Sequence, residues 1–223
     1  IIPIPKSQYI AIIQPIGIAK RQPKCLPLHR SPVDVDSYSE ANRNTNLPLH
    51  DDYYGALGQS FTCASAVVLY SAKFFVARNG PTSSGNAVAR IYSHSGVYGS
   101  SSIPGTLLAT SDSVSLAGMS TSYTLKEFVF TGANAINLES STYYCVTIEC
   151  NPSVGGVNVG MDNTSPSHSG NSSVWVGSWV DDASMDMVFY VYGVAWTRLV
   201  AVGIPIPFPV GIPKSQHITI GVT

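Results

Sequence analysis

Short runs with the hydrophobic pattern of β-strands follow one another from residue 58 to residue 194. The run KEFVFTG (126–132) has the mixture of apolar and polar positions expected of a half-buried strand. The run VFYVYGV (188–194) is apolar almost throughout and rich in β-branched and aromatic residues, as is typical of a central strand. The pattern therefore predicts extended structure across this region.

Turn-forming clusters such as RNGPTSSGN and NPSVGG separate the runs from one another. The predicted strands lie within 66–77, 86–94, 106–116, 122–132, 136–150, 157–162, 173–179 and 185–194. No window of twelve residues has a clear apolar period of 3.6, so helices are not expected. This spacing predicts an all-β fold, an antiparallel jelly-roll β-sandwich with extended N- and C-terminal arms.

Several stretches of the central region together resemble one known module. They are GQSFT (58–62), SAKFFVARNG (71–80), GNAVARIYSHSGVYGSSSIPGTLLATSDSV (85–114), YYCVTIE (143–149), DNTSPSHSGNSSVWVGSW (162–179) and FYVYG (189–193). The chain resembles a β-sandwich module found in phage virion and tail-associated proteins and in prokaryotic surface proteins. This resemblance implies a carbohydrate-binding-like jelly roll that has a binding or structural role and no catalysis.

The segments on either side lie outside the resemblance and divide the chain into three parts. We expect an extended N-terminal arm and linker over 1–50, the jelly roll over 51–194 and a Pro/Ile-rich C-terminal arm over 195–223. In the linker, Asp34, Asp36 and Glu40 superficially resemble a calcium loop. They lack the glycine and the ligand spacing of an EF-hand, which favours a solvated loop.

The two arms carry nearly the same peptide, IPKSQYIAI at 4–12 and IPKSQHITI at 212–220. Alternate prolines in the neighbouring IPIP segments remove N–H donors from one edge of an extended strand and leave the other edge able to pair. We predict that the arms pair with neighbouring subunits by β-strand addition. The predicted subunit-pairing residues are Ile2, Ile4, Ile10, Ile12, Ile204, Ile206, Ile218 and Ile220. Two alternatives stay open: pairing of both ends within one molecule, and a tandem repeat excised from a longer polypeptide.

Composition narrows the class of protein. The 12 Lys+Arg and 13 Asp+Glu residues give a net charge of −1, which argues against a nucleic-acid-binding protein. Charged residues make up only 11% of the chain, and uncharged polar residues replace them, as suits an extracellular, cell-surface or virion protein. The uncharged stretch 199–213 contains four prolines, so no membrane-spanning helix is expected.

The four cysteines, Cys25, Cys63, Cys145 and Cys150, do not have the spacing of a zinc site. Cys145 and Cys150 lie five positions apart in one predicted strand. They therefore face opposite sides of that strand and cannot bond to each other. Two interpretations remain: buried free thiols, or a disulfide that involves Cys25 or Cys63.

The best candidate for a glycan site is the stretch SVWVGSWVDD. Trp175 and Trp179 lie four residues apart and share one face of a regular strand, where their rings could stack on sugars. If they form a sugar platform, both rings should be exposed and roughly coplanar. Asn171 and Asp181 are nearby groups that could orient hydroxyls. The alternative is that the two tryptophans pack in the core.

Other chemistry-bearing residues give weaker indications. His94 and His168 each lie in a His-Ser-Gly turn and could bind a metal or a sugar if the turns adjoin, although a lone loop histidine usually makes only a local hydrogen bond. The known catalytic and phosphate-binding motifs are missing, and Glu127, Glu139 and Glu149 cannot be assigned as an acid–base pair. We therefore expect no enzyme activity, cofactor or metal.

Two functions are consistent with the sequence. The first is a structural protein of a virion or extracellular filament that self-assembles through strand exchange of its terminal arms into a homo-oligomer or polymer. The second is a glycan-binding adhesion module without catalysis, whose arms close the fold or link it to other domains.

Overall fold

The structure is a computed structural model that describes residues 31–50 and 54–195 of the chain. These residues form thirteen β-strands and three 3-10 helices of three residues each. The strands are β1 (Val33–Tyr38), β2 (Thr45–Leu49), β3 (Ala56–Cys63), β4 (Val67–Ser95), β5 (Ile103–Thr110), β6 (Val114–Ser115), β7 (Thr124–Val129), β8 (Asn137–Leu138), β9 (Thr142–Asp162), β10 (Ser172–Trp175), β11 (Trp179–Asp182), β12 (Asp186–Met187) and β13 (Phe189–Ala195). The helices are Glu40–Asn42, Leu116–Gly118 and Gly132–Asn134.

Two long strands, β4 and β9, run through both layers of the fold. Residues 67–76 of β4 pair with β13 and β7, and residues 76–79 pair with the second part of β9. Residues 84–95 pair with β5 and with the first part of β9. The register between β4 and β9 shifts between Asn79 and Gly85, where the strands bend. Gly85 has φ 104°, a backbone conformation that glycine adopts without steric cost.

The strand pairings fall into two antiparallel layers, which the long strands β4 and β9 join into one continuous hydrogen-bonded network. The first sheet contains β1, β13, β7, β8, β2, β12 and the adjoining parts of β4 and β9. The second sheet has the order β5–β4–β9–β3–β10–β11, with β6 beside β4. All of these strand pairings are antiparallel, so the predicted all-β antiparallel sandwich is confirmed.

The hydrophobic core lies between the two sheets. Phe61 of the second sheet contacts Phe189 of the first, with ring centroids 6.4 Å apart. Phe74 and Phe128 form an edge-to-face pair at 5.7 Å within the first sheet. All four rings are fully buried, and burial of each such side chain stabilises the fold by about 1.5–3 kcal/mol.

The sheet begins earlier than the predicted boundary at residue 51. Strand β1 pairs with β13 and β2 pairs with β9, so residues 33–49 belong to the sandwich rather than to a linker. The predicted solvated loop at Asp34 and Asp36 is wrong, because both residues lie on β1. Asp36 accepts a hydrogen bond from the Thr62 backbone N–H at 2.7 Å, while Glu40 begins a 3-10 helix.

Asp162, at the end of β9, holds this N-terminal part in place. Its carboxylate accepts hydrogen bonds from the Tyr38 hydroxyl at 2.7 Å and from the Asn44 amide. It also accepts the backbone N–H groups of Thr164 and Ser165. Burial alone would raise the pKa of Asp162, but these hydrogen bonds together lower it below its ordinary value.

The cysteines follow the predicted geometry of β9. Cys150 packs against the core, whereas Cys145 is buried on the opposite face of the same strand. Cys63 and Cys145 are free thiols. Cys25 lies outside the described residues.

The eight predicted subunit-pairing isoleucines, and both IPKSQ peptides, lie outside the described residues. Where the described chain begins and ends, Val33 of β1 is paired directly with Gly193 of β13. Within the part of the chain that the structure describes, no helix is long and apolar enough to cross a membrane.

Candidate functional site

Alternation along β4 and β9 gives the second sheet an apolar inner face and a mixed outer face. Ile91 and Ile148 point inward and are fully buried in the core. Their neighbours Arg90, Tyr92 and Glu149 point outward, as the period of two requires. The outer face therefore carries charged and aromatic side chains.

An open cavity of about 510 Å³ lies on this outer face. It is lined by Gly55, Ala56, Arg90, Tyr92, Gly105, Glu149, Trp175 and Trp179. Its volume lies within the range of small-molecule sites, and aromatic walls with a few convergent polar groups are typical of them. We therefore treat this cavity as the candidate binding site.

The β10–β11 hairpin supplies the aromatic wall. Trp175 and Trp179 are paired directly across the two strands, and Val176–Ser178 form the turn between them, with Gly177 at φ 94°. They share a face as cross-strand partners, not as residues of one strand as predicted. Trp175 is 39% exposed and Trp179 is partly buried, and both line the cavity rather than the core.

The two rings form a corner and not a flat platform. Their centroids are 5.5 Å apart and their planes meet at 67°, so the expected coplanar arrangement is not observed. Tyr92 extends the wall, with its ring 6.1 Å from Trp179 at 71°. Gly55 makes room for Trp175, because a Cβ atom there would lie 2.9 Å from the indole Cδ1.

Arg90 and Glu149 form the polar floor. The Arg90 guanidinium donates to Glu149 Oε2. The Tyr92 hydroxyl donates to Glu149 Oε1 at 2.8 Å, and Thr147 Oγ1 donates to the same oxygen at 3.0 Å. Burial, together with the neighbouring Glu149 carboxylate, raises the pKa of Tyr92, so the phenol keeps its proton and remains a donor.

The structure separates the other two predicted glycan-binding residues from this cavity. Asn171 is only 2% exposed, and its side chain is engaged on both ends. Its Oδ1 accepts the Ser102 N–H at 3.0 Å, and its Nδ2 donates to the carbonyls of Ser102 and Ser172. Asn171 therefore has a structural role, which corrects the sequence prediction. Asp181 is exposed on β11 and is not among the residues that line the cavity.

The two His-Ser-Gly turns do adjoin, but the histidines do not share a site. The Tyr98 hydroxyl lies 3.1 Å from Ser169 Oγ, which joins one turn to the other. His94 Nε2 lies 2.9 Å from Ser102 Oγ, and burial lowers the pKa of His94. Among the described residues, no group of three or more His, Cys, Asp or Glu side chains could hold a metal ion.

His168 instead belongs to a partly buried hydrogen-bond network that joins its turn to β1 and β12. Its Nδ1 accepts the Gly170 N–H at 3.0 Å, so in the neutral ring Nε2 carries the proton. Nε2 lies 3.2 Å from Asp36 Oδ1 and donates to it. The His168 backbone N–H donates to Asp186 at 2.8 Å. These bonds tie the turn to β1 and to the segment before β13.

Sequence reasoning missed Arg90 and Tyr92 and considered Glu149 only as a possible catalytic acid. The alternation in AVARIYS (87–93) places residues 88, 90 and 92 on the face opposite Ala89 and Ile91. That signal identifies the outward positions. It does not show that the tryptophan hairpin lies above them, because the pairing joins distant parts of the chain.

No protein-family model and no curated protein matches the chain. One similar solved structure is that of the cysteine protease and lectin-like domains of Cwp84, a surface layer associated protein of Clostridium difficile. The identity is 15% and the TM-score 0.39, over 63% of this chain and 32% of that one. This chain thus spans about a third of its neighbour's length, and the predicted module membership stays a prediction.

Proposed function

We propose that this protein is a glycan-binding module without catalysis, located outside the cell or on a surface, and that it binds sugars in the cavity of the second sheet. One observation carries the proposal. Two tryptophans and a tyrosine line an open cavity whose floor is a hydrogen-bonded Arg90–Glu149 pair. The low charge of the chain supports an extracellular location.

The chemistry of this wall and floor suits a sugar. A pyranose ring has an apolar face of C–H groups and an edge of hydroxyls. The Trp175 and Trp179 rings that line the cavity offer a large apolar area at low entropic cost. Arg90 can donate to one hydroxyl, while Glu149 can accept from its neighbour. Because both groups are already held by each other and by Tyr92, they are positioned before a ligand arrives.

A glycan array followed by calorimetry on the binding sugars tests this proposal. Trp179→Ala should weaken binding at least about tenfold, corresponding to roughly 1.4 kcal/mol. Tyr70→Ala is the matched control, since it removes an exposed aromatic ring from β4 in the first sheet. Both variants should keep the far-UV circular dichroism of the parent. Equal affinity in both variants, or no sugar bound at all, would refute the proposal.

A second proposal concerns assembly through the arms. It is supported by the repeated IPKSQ peptide and by the pairing of Val33 with Gly193, which places the first and last described strands side by side. We propose that the arms pair with neighbouring copies by β-strand addition. Deletion of 1–12 or of 211–223 should then give a folded monomer in light scattering, where the full chain forms oligomers. An intact chain that stays monomeric at high concentration would refute it.

A further inference from the structure

A second, smaller cavity of about 230 Å³ adjoins the tryptophan cavity on the same outer face. The two cavities share Gly55, Arg90 and Glu149 in their lining. Beyond these shared residues, the second cavity is bordered by Asn86, Val88, Cys150 and Asn151. The Arg90–Glu149 pair therefore lies between an aromatic compartment and an amide-lined one.

Regular strand pairing aligns the two compartments in one groove. Asn86 is paired with Asn151 and Val88 with Glu149, and the register between β4 and β9 is unbroken from Asn86 through Tyr92. Outward side chains at positions 86, 88, 90 and 92 consequently form a straight row. From position 86 to position 92 the chain makes six residue steps, or about 20 Å at the rise of an extended strand. A groove of this length is longer than a single pyranose ring.

We propose that this groove binds a neutral oligosaccharide of at least two sugars, a proposal that rests on the glycan-binding function above. One ring lies in the corner formed by Trp175 and Trp179. The chain then crosses the Arg90–Glu149 pair, and a second sugar is held by the Asn86 and Asn151 amides.

The corner geometry limits how many rings the aromatic wall can hold. Planes that meet at 67° and 71° enclose one ring, whereas a flat row of sugars needs coplanar aromatic faces. Contacts to a longer ligand must therefore come from the polar part of the groove. Asn86 and Asn151 are both exposed, and each amide can donate and accept, which matches the hydroxyls of a second sugar.

The charge balance of the groove favours a neutral ligand. Arg90 and Glu149 are the charged residues among those that line the two cavities, and they are paired with each other. A sugar carboxylate would therefore meet a cation whose charge is already compensated, with the Glu149 carboxylate beside it. Neutral hydroxyls can bond to both groups without breaking their pairing.

The experiment titrates full-length protein with soluble oligosaccharides of one to four sugars in calorimetry. The neutral series consist of glucose, galactose, mannose and N-acetylglucosamine units, and the acidic series of galacturonate units. Affinity for one neutral series should rise about fivefold from one sugar to two or three, the effect of one or two added hydrogen bonds. Asn151→Ala should remove most of this increase, because one of the two amides that hold the second sugar is lost. Asn137→Ala, an exposed amide on β8 of the first sheet, is the matched control.

The possible results distinguish a failure of the second compartment from a failure of glycan binding itself. Equal affinity for one to four sugars would overturn the second compartment, while glycan binding itself would stand. Tighter binding of the galacturonate series would overturn the neutral ligand in the same way. Binding of no series, together with an empty glycan array, would overturn both. An Asn151→Ala variant that loses single-sugar binding while remaining folded would show that the compartments are not separate.

Discussion

The two faces of the second sheet are built from the same strands and differ completely in character. On the inner face, Ile91 and Ile148 are fully buried among apolar neighbours. On the outer face, one position away along each strand, Arg90 and Glu149 join in an ion pair at the floor of a cavity. A shift of one residue in register would exchange the residues of the core with those of the site. Packing of the inner face therefore also fixes the position of the outer side chains.

The outer face is itself divided into an open and a covered part. Near Trp175 it is open, whereas Ser60 and Ser102 are buried beneath the two turns that meet around Asn171. The covered part is polar yet inaccessible, so its hydrogen bonds serve folding. Outward orientation alone therefore does not make a residue part of the binding site.

The largest expected effect is a loss of stability when a valine of the inner face is replaced by alanine, compared with the same substitution on the outer face. Val146→Ala removes two methyl-sized groups from a fully buried position and should lower the free energy of unfolding by about 2–3 kcal/mol. Val88→Ala, on the outward, partly exposed side of β4, should cost less than about 1 kcal/mol. Urea denaturation of both variants measures the difference. Similar losses would contradict the division into an inner core and an outer site.

A slightly smaller effect is expected in the covered part of the outer face. Asn171→Ala leaves the Ser102 N–H and two backbone carbonyls without their side-chain partner, which should cost about 2 kcal/mol of stability. Sugar affinity of the folded variant should not change. Asp181→Ala, at an exposed position of β11, should shift stability by no more than about 0.5 kcal/mol. A loss of sugar binding by Asn171→Ala protein that is still folded would show that this residue belongs to the binding site.

The smallest expected effect is the reaction of Cys145 in the folded protein with a thiol reagent. Burial raises the pKa of this thiol to about 12, from an ordinary value of 9.0. Since the thiolate is the reactive form, the folded protein should stay unlabelled at Cys145 from pH 7 to 10, whereas the urea-unfolded chain should react increasingly as pH approaches 9. Alkylation followed by peptide mass spectrometry measures this. Cys145 is paired with Ser60 in the covered part of the outer face, so rapid labelling of the folded protein would show that this part is open to solvent.

The all-β fold could be predicted from the sequence, and so could the opposite faces of Cys145 and Cys150. Both depend on the period of two, which is a local property of an extended chain. The shared face of Trp175 and Trp179 was also predictable, but for a different geometry. On one strand, residues that are an even number of positions apart share a face. In the structure, Trp175 and Trp179 share a face because they are cross-strand partners in a tight hairpin.

Local pattern was insufficient for the N-terminal strands. Residues 33–49 are polar and turn-rich. Their strands form because they pair with the edges of β13 and β9. Asp162 further stabilises them by accepting hydrogen bonds from Tyr38 and Asn44. Each of these partners lies more than 100 residues away along the chain. A prediction that weighs only neighbouring residues cannot include such contacts.

The sequence by itself determined which side chains of β4 and β9 point away from the core, since alternation follows from backbone geometry. Only the tertiary structure decided which of them meet. Arg90 and Tyr92 bond to Glu149, which lies 59 and 57 residues away along the chain. The tryptophan hairpin that completes the cavity lies still further along the chain. The physical reason is that strand pairing is a long-range choice of register and neighbour. It is governed by the burial of the whole inner face and not by the residues that form the site.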